Sequence, residues 1–268
     1  MTQIEGKHVL LTGGSRGIGP VIAEALARSG AHIALAARSQ KGLDQVAKSL
    51  GKFDVQITTV AVDLAQSDQR HRLVSSVLEK FGTIEILVNN AGLETEGAYL
   101  SLPWEKIQET IEVNLVAPME LTHLILPHML EKKMGHIVNI ASIAAKCGGP
   151  YAATYDATKA GLAEWTQGLR LELANSGVHF STIFPGYITD VGMFARFGLT
   201  PPRSIGSCTP VQVANAVIKA IEQNTLEVIV NSTSQRLFYA LKELSPSLGD
   251  WVMINFGTVD FQRKKVGL

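Results

Sequence analysis

The stretch His8-Val9-Leu10-Leu11-Thr12-Gly13-Gly14-Ser15-Arg16-Gly17-Ile18-Gly19 decides the fold. A short aliphatic run ends in glycines spaced G-x-x-x-G-x-G, and a segment of helical period follows from Gly17 to Ser29. Glycine lets the chain turn tightly and lets backbone approach a ligand closely. The helix that opens there offers unpaired N–H groups and the positive end of its dipole to an anion. The bland alternative is a plain strand-to-helix turn. A strand before, a helix after and a place near the N-terminus favour a phosphate cradle instead.

Outward from that turn, short strand-like runs alternate with helical segments. The strand runs are 8–12, 32–37, 55–62, 84–88, 136–140, 178–184 and 227–230. Between them lie helical patterns at 41–49, 68–81, 104–115, 119–132, 153–175 and 210–222. The strand runs are apolar throughout rather than at every second residue, which implies burial on both faces as in a parallel sheet. Parallel neighbours need crossover helices, and the spacing supplies them. The expected architecture is therefore α/β: a doubly wound, mostly parallel sheet of about seven strands with helices on both faces. One domain over 1–268 is expected, with a core of about 5–230, a long loop at 186–209 and an apolar C-terminal extension at 232–268.

Composition narrows the function. Of the 268 residues 46% are hydrophobic and 18% charged, against roughly 25% charged in an average domain, so much of the chain is expected to be buried. Lys plus Arg equals Asp plus Glu, 24 each, which argues against a nucleic-acid binder because such proteins need a basic face. Two cysteines, Cys147 and Cys208, are too few for a disulfide framework or a zinc site. No signal peptide or spanning segment is read, so a soluble, cytoplasmic protein is expected.

Ligands of doubly wound sheets bind beyond the C-terminal strand ends, and several polar residues fall there. The second strand run ends Ala36-Ala37-Arg38-Ser39 with no acid at its tip. An acid there would bond a ribose 2′-hydroxyl, whereas Arg38 with Arg16 suits a 2′-phosphate. NADP(H) is thus favoured and NAD(H) is the alternative. Asp63, after the third run, suits an adenine edge, and Asn89-Asn90-Ala91-Gly92 brings amides to the same crevice, although these residues could equally be turn formers. Tyr155 and Lys159 are four apart on a helical pattern and share one face. An ammonium in that place is expected to draw the phenol pKa down towards working pH, so that the phenol can give or take a carbonyl oxygen's proton. Ser142 ends the preceding strand region and could hold the same oxygen.

Together the motifs T-G-G-S-R-G-I-G at 12–19, N-N-A-G at 89–92, Asn114, Ser142, Y-D-A-T-K at 155–159 and P-G-Y-I-T at 185–189 resemble the short-chain dehydrogenase/reductase family, in order, over roughly 5–230. The resemblance implies an oxidoreductase that exchanges hydride between NADP(H) and a ketone, aldehyde or alcohol. It implies Tyr155 as general acid/base, Lys159 on the nicotinamide ribose, Ser142 on the substrate oxygen and Asn114 holding a relay water. Gly13, Ser15, Arg16, Ile18 and Gly19 would line the adenosine and pyrophosphate end, and Arg38 would take the 2′-phosphate. Asp63 and Leu64 would meet the adenine, while Asn90, Ala91 and Gly92 would meet the adenosine side. Pro185, Gly186, Ile188 and Thr189 would hold the nicotinamide. It also implies a homodimer or homotetramer. The departures are Pro20 inside the first helix and Asp156 beside the tyrosine.

The sparse charge of 186–209 beside Phe184, Phe194 and Phe197 suggests an apolar, lipid-, steroid- or ketoacyl-like substrate. A non-catalytic nucleotide sensor is the alternative from another class, against which the intact Ser142, Tyr155 and Lys159 stand. Three readings compete for the extension with Phe238, Leu244, Trp251, Ile254 and Phe256: core or oligomer packing, which is favoured, a lid, or a peripheral membrane patch. Asn231-Ser232-Thr233 forms a glycosylation sequon that is expected to stay unmodified.

Overall fold

The computed structural model describes residues 2–268. Seven strands form one sheet: β1 (His8–Thr12), β2 (His32–Ala37), β3 (Ile57–Ala61), β4 (Ile86–Asn89), β5 (Gly135–Ile140), β6 (Val178–Pro185) and β9 (Glu227–Val230). Their order is β3-β2-β1-β4-β5-β6-β9, and every pairing is parallel. Each of the seven expected strand runs is present. β7 (Tyr187–Ile188) and β8 (Ser207–Cys208) pair separately and close the base of the 186–209 loop.

Helices α1 (Gly19–Arg28), α2 (Gln40–Leu50) and α7 (Pro210–Gln223) cover one face, with Ile22, Leu26, Leu43, Val213 and Val217 against Val9, Leu11 and Ile33 of the sheet. On the other face α3 (Ser67–Phe81) and α5 (Ala117–Glu131) set Leu73, Val77, Leu121 and Ile125 against Leu10, Leu87 and Ile137. Alternate residues of a strand point to opposite faces, which is why neighbours such as Val9 and Leu10 enter different cores. α4 (Trp104–Ile111) runs into α5 through a π-turn at Glu112–Val116. Such a turn inserts a residue and re-aims the side chains on it, here Asn114. α6 (Ala153–Glu172) follows β5.

Buried amides tie the central layers together. Asn89 Nδ2 donates to Asn139 Oδ1 at 2.8 Å across β4 and β5, and Asn139 Nδ2 donates to Thr166 Oγ1 of α6 at 2.8 Å. β1 continues into α1 and β2 on one side, while β4 lies on its other side. The strand order therefore reverses between β1 and β4 and leaves a crevice at their C-terminal ends.

The C-terminal extension folds into α8 (Arg236–Leu244), α9 (Pro246–Asn255) and α10 (Thr258–Lys265). Only Gly249 and Lys265 of these helices are buried, and Leu237, Leu244, Trp251, Ile254 and Phe256 are more than half exposed. The core half of the core-or-oligomer reading is therefore corrected, since the extension adds no buried aliphatic layer of its own, and the exposed apolar residues are in keeping with the oligomer half. No described helix is long and apolar enough to cross a membrane.

Candidate active site

Two glycines of the turn have positive φ, Gly13 at 69° and Gly17 at 66°. A Cβ on Gly13 would lie 2.8 Å from Asn90 Nδ2, and one on Gly19 would run into the Gly13 carbonyl. The turn is thus folded as tightly as bare backbone allows. Thr12 and Asn90 clamp it to the end of β4. Thr12 Oγ1 accepts from the backbone N–H groups of Asn90 and Ala91, both at 3.0 Å, and Asn90 Nδ2 donates to the Thr12 carbonyl at 2.9 Å. The N-terminus of α1 has no side-chain cap: Pro20 brings no N–H, Val21 and Ile22 bond back to the Ile18 carbonyl, and the N–H groups of Ile18 and Gly19 are left without a capping side chain. Asn90 Oδ1 is buried there without a hydrogen-bond partner. Uncapped donors, an orphan acceptor and a cradle that no Cβ could enter fit a dinucleotide.

A cavity of about 900 Å³ runs from this turn to the C-terminal helices. Gly13, Ser15, Arg16, Ile18, Arg38, Asp63 and Leu64 line one end. Asn90, Ala91 and Gly92 line its middle, with Ser142, Tyr155 and Lys159 beyond them, and Pro185, Gly186 and Ile188 form another wall. Gly19 lies behind the wall as the residue on which the turn closes. Thr189 is not brought in: it is exposed and its hydroxyl donates to Asp190 at 3.1 Å.

The β2 tip carries no carboxylate, and Ser39 caps α2 by accepting from the Gly42 N–H at 3.1 Å. Arg38 is half exposed and lies 3.4 Å from Glu109 of α4. Fully buried Arg70 braces the adjoining wall. It donates to the Leu64 carbonyl at 2.6 Å and pairs with Glu112 of the π-turn at 2.8 Å and with Glu120 at 2.5 Å.

Tyr155 and Lys159 occupy the first turns of α6. Lys159 Nζ is buried, donates to the Ile140 carbonyl at 2.8 Å and stands 5.8 Å from the centre of the Tyr155 ring. Desolvation brings its pKa down to about 8. The expected fall of the Tyr155 pKa is reversed. Burial pushes the phenol up and Glu94 pushes it further; the hydrogen bond with Ser142 pulls against them, and Asp156 and Glu96 add smaller upward pushes. The phenol is held protonated, as a proton donor. Asp156 is itself lifted to about 7, chiefly by burial, against the 2.6 Å hydrogen bond it accepts from the Gly149 N–H.

Asn114 is wholly buried and does not line the cavity. Its amide donates to the Leu93 carbonyl at 2.9 Å and to Thr158 Oγ1 at 3.1 Å, and its Oδ1 accepts from the Leu93 N–H at 2.8 Å. It joins the β4 loop to α6, one helical turn from the tyrosine. Both amide protons are taken, which leaves one Oδ1 lone pair for the expected water. Asn231 of the sequon points inward and donates to the Ile205 and Thr233 carbonyls, fixing the base of the 186–209 loop.

The residues that sequence reasoning missed lie on the far wall: Glu94 and Glu96 after the N-N-A-G motif, Tyr187, Met253, Gln262 and Lys265. Two glutamates directly after a cofactor motif were the one signal for them in the sequence. Cys147 is half-buried on the cavity wall with its Sγ 3.3 Å from Met253 Sδ.

The chain is similar to known proteins in sequence and in fold. The family model described as short chain dehydrogenase matches residues 7–200. A ketoacyl reductase, HetN, of Nostoc sp. is 41% identical over 270 residues, covering 99% of this chain and 94% of that protein. A metagenomic short-chain oxidoreductase solved in complex with NADP is 30% identical with a TM-score of 0.75, covering 87% of this chain and all of that one. A Burkholderia phymatum enzyme solved with NAD shares the fold, with a TM-score of 0.81 at 23% identity, covering 92% and 96% of the two chains. The chain belongs to the short-chain dehydrogenase/reductase family and is an oxidoreductase of the carbonyl–alcohol class.

Proposed function

We propose that this chain is an NADP(H)-dependent reductase of an apolar ketone or aldehyde, with Tyr155 as the general acid. The observation that carries the proposal is the meeting, in one cavity, of the glycine turn, the Arg16–Arg38 pair and the Ser142–Tyr155–Lys159 group. The NADP held by the metagenomic relative and the ketoacyl activity in the name of the Nostoc relative support it.

When bound, the nicotinamide supplies the hydride. The α1 N-terminus and the Gly13–Gly19 turn hold the pyrophosphate, and Arg16 and Arg38 bind the 2′-phosphate. Asp63 and Leu64 face the adenine, with Asn90, Ala91 and Gly92 on the adenosine side. Pro185, Gly186 and Ile188 back the nicotinamide. Lys159 spends one N–H on Ile140 and keeps two for the ribose diol. Ser142 and Tyr155 hold the substrate carbonyl oxygen, and the protonated phenol donates to it as negative charge develops there. Asn114 positions the loop through Leu93 and offers its remaining lone pair to a relay water.

Loss of NADPH absorbance over a panel of ketones tests this reading. Long-chain or polycyclic ketones are expected to react, and Tyr155→Phe is expected to lower kcat about a thousandfold while NADPH still binds. A panel in which only small charged carbonyls react overturns the substrate class. Full turnover by Tyr155→Phe overturns the acid. A homodimer or homotetramer through the helices at 104–132 and 153–175 belongs to the same proposal and is supported by exposed Trp104, Ile111 and Leu171. Light scattering is expected to give a multiple of 28.9 kDa, and a monomer mass overturns it.

A further inference from the structure

Lys265, in the last turn of α10, is a cation with almost no access to water. Its side chain is 1% exposed, and lysine is almost never fully buried unless paired. Its ammonium lies 2.8 Å from Glu94 Oε1 and 2.5 Å from Glu96 Oε1, on the loop that leaves β4. The rings of Tyr187, Phe194 and Phe197 of the 186–209 loop surround it at 5.3, 5.6 and 5.0 Å. Two carboxylates and three π-faces thus form an ammonium receptor, which the chain fills with its own lysine. One turn back, Phe261 packs edge-on against Tyr187 with ring centres 5.6 Å apart. Two residues before Lys265, Arg263 Nε donates to Tyr151 Oη at 3.3 Å, just ahead of α6.

These contacts span the mouth of the cavity, and Gln262 and Met253 line it from the same extension. The rest of the extension is held loosely: Lys265 is the one buried side chain longer than glycine in α8–α10. Removing one member of a buried ion pair leaves its partners' charge uncompensated, so among the attachments of α10, which include Phe261 on Tyr187 and Arg263 on Tyr151, this is the one whose loss costs most.

We propose that Lys265 is a positioning residue that latches α10 over the cavity, and that Gln262 and Met253 thereby become specificity-determining walls of the substrate site. The latch joins the 186–209 loop and the C-terminal helix into one wall. The specificity half of the proposal rests on the carbonyl-reductase reading above; the latch itself does not.

The test uses the full-length protein with Lys265→Met and Lys265→Arg, a series of straight-chain ketones, a bulky decalone, and amide hydrogen exchange. In Lys265→Met, exchange is expected to accelerate over 187–197 and 258–266 together, and Lys265→Arg is expected to restore most of the protection. KM for the preferred ketone is expected to rise about tenfold with kcat changed less, and the preference for size to flatten. Acceleration confined to 258–266 overturns the coupling. Unchanged size preference with accelerated exchange overturns the walls and leaves a simple brace. If the wild type reduces no ketone in the series, the proposed function fails while the exchange experiment still judges the latch. Should Lys265→Met fail to fold, Gln262→Ala tests the wall with the latch intact, and an unaltered size preference in that variant overturns it.

Discussion

At the β1–β4 end of the cavity the contacts are short and uncharged: Thr12 and Asn90 bond through backbone and neutral side-chain groups, Gly13 closes on Asn90, and Gly19 closes on Gly13. At the α10 end the wall is held by side-chain charge, with Lys265 between Glu94 and Glu96 and the aromatic rings of the substrate loop around it. The first end is steric and tolerates almost no added atom. The second is held by paired charge. The dinucleotide end is thus fixed by shape and the far end by charge.

The sharpest way to break this contrast is Gly19→Ala. Its methyl group meets the Gly13 carbonyl, and the expected cost is about 3 kcal/mol, read as lower NADPH affinity and a lower Tm. Amide exchange over 258–268 should stay as in the wild type; loosening there would show that the two ends are not independent. Arg38→Ala is expected to lose about 2 kcal/mol of NADPH binding, roughly thirtyfold in Kd, with NADH binding nearly unaltered. Calorimetric titration of both cofactors checks it, and equal losses would mean that Arg38 does not read the 2′-phosphate.

The smallest expected effect sharpens the electrostatic side. Burial, with Glu94 beside it, lifts the folded Glu96 carboxyl to about 8 from 4.5, while Lys265 pulls the other way. Asp156 is lifted to about 7 from 3.8. Over that range these two carboxyls hold more protons in the folded protein than in the unfolded chain, so their own contribution is complete below their unfolded values and falls as pH rises, while buried His136, lowered to about 3, acts in the opposite sense below pH 6.5. The loss is on the order of 2 kcal/mol, and Glu96→Gln should flatten the part of the Tm profile it contributes. A Tm that climbs from pH 5 to 8 in the wild type and the variant alike would contradict it. Above pH 8 the lowered Lys159 acts in the opposite sense, because there the unfolded chain holds the extra proton.

How much of this could be read from residues follows from how far apart the partners are. The strands showed as unbroken apolar runs because both faces are covered, and the cradle showed because its strand, glycines and helix are contiguous in the chain. Tyr155 and Lys159 showed because one helix sets their spacing. The latch did not, since Lys265 meets a glutamate 171 positions away, and a terminal lysine reads as solvated. The direction of the phenol's shift also escaped, because Glu94 and Glu96 come from another loop and burial has no signature in a Y-x-x-x-K spacing. Asn114 was found, but its π-turn and its bonds to Leu93 and Thr158 depend on packing between helices. Thr189 lies off the cavity wall because the short pairing with Ser207–Cys208 ends at Ile188 and the chain beyond it is exposed.

The amide row Asn89–Asn139–Thr166 bears on how the sheet finds its alignment. Apart from His136, whose ring bonds to Ser181 of β6, the other paired residues of β4 and β5 are aliphatic, and apolar contact alone scarcely distinguishes one offset from the next. A slip of two residues along the strands would strand these amides in an apolar layer, at about 1–3 kcal/mol for each orphaned group. Misaligned intermediates are thereby discarded during assembly, and the row works as a vernier that sets where the ends of the two strands, and so Asn90 and Ser142, fall opposite one another.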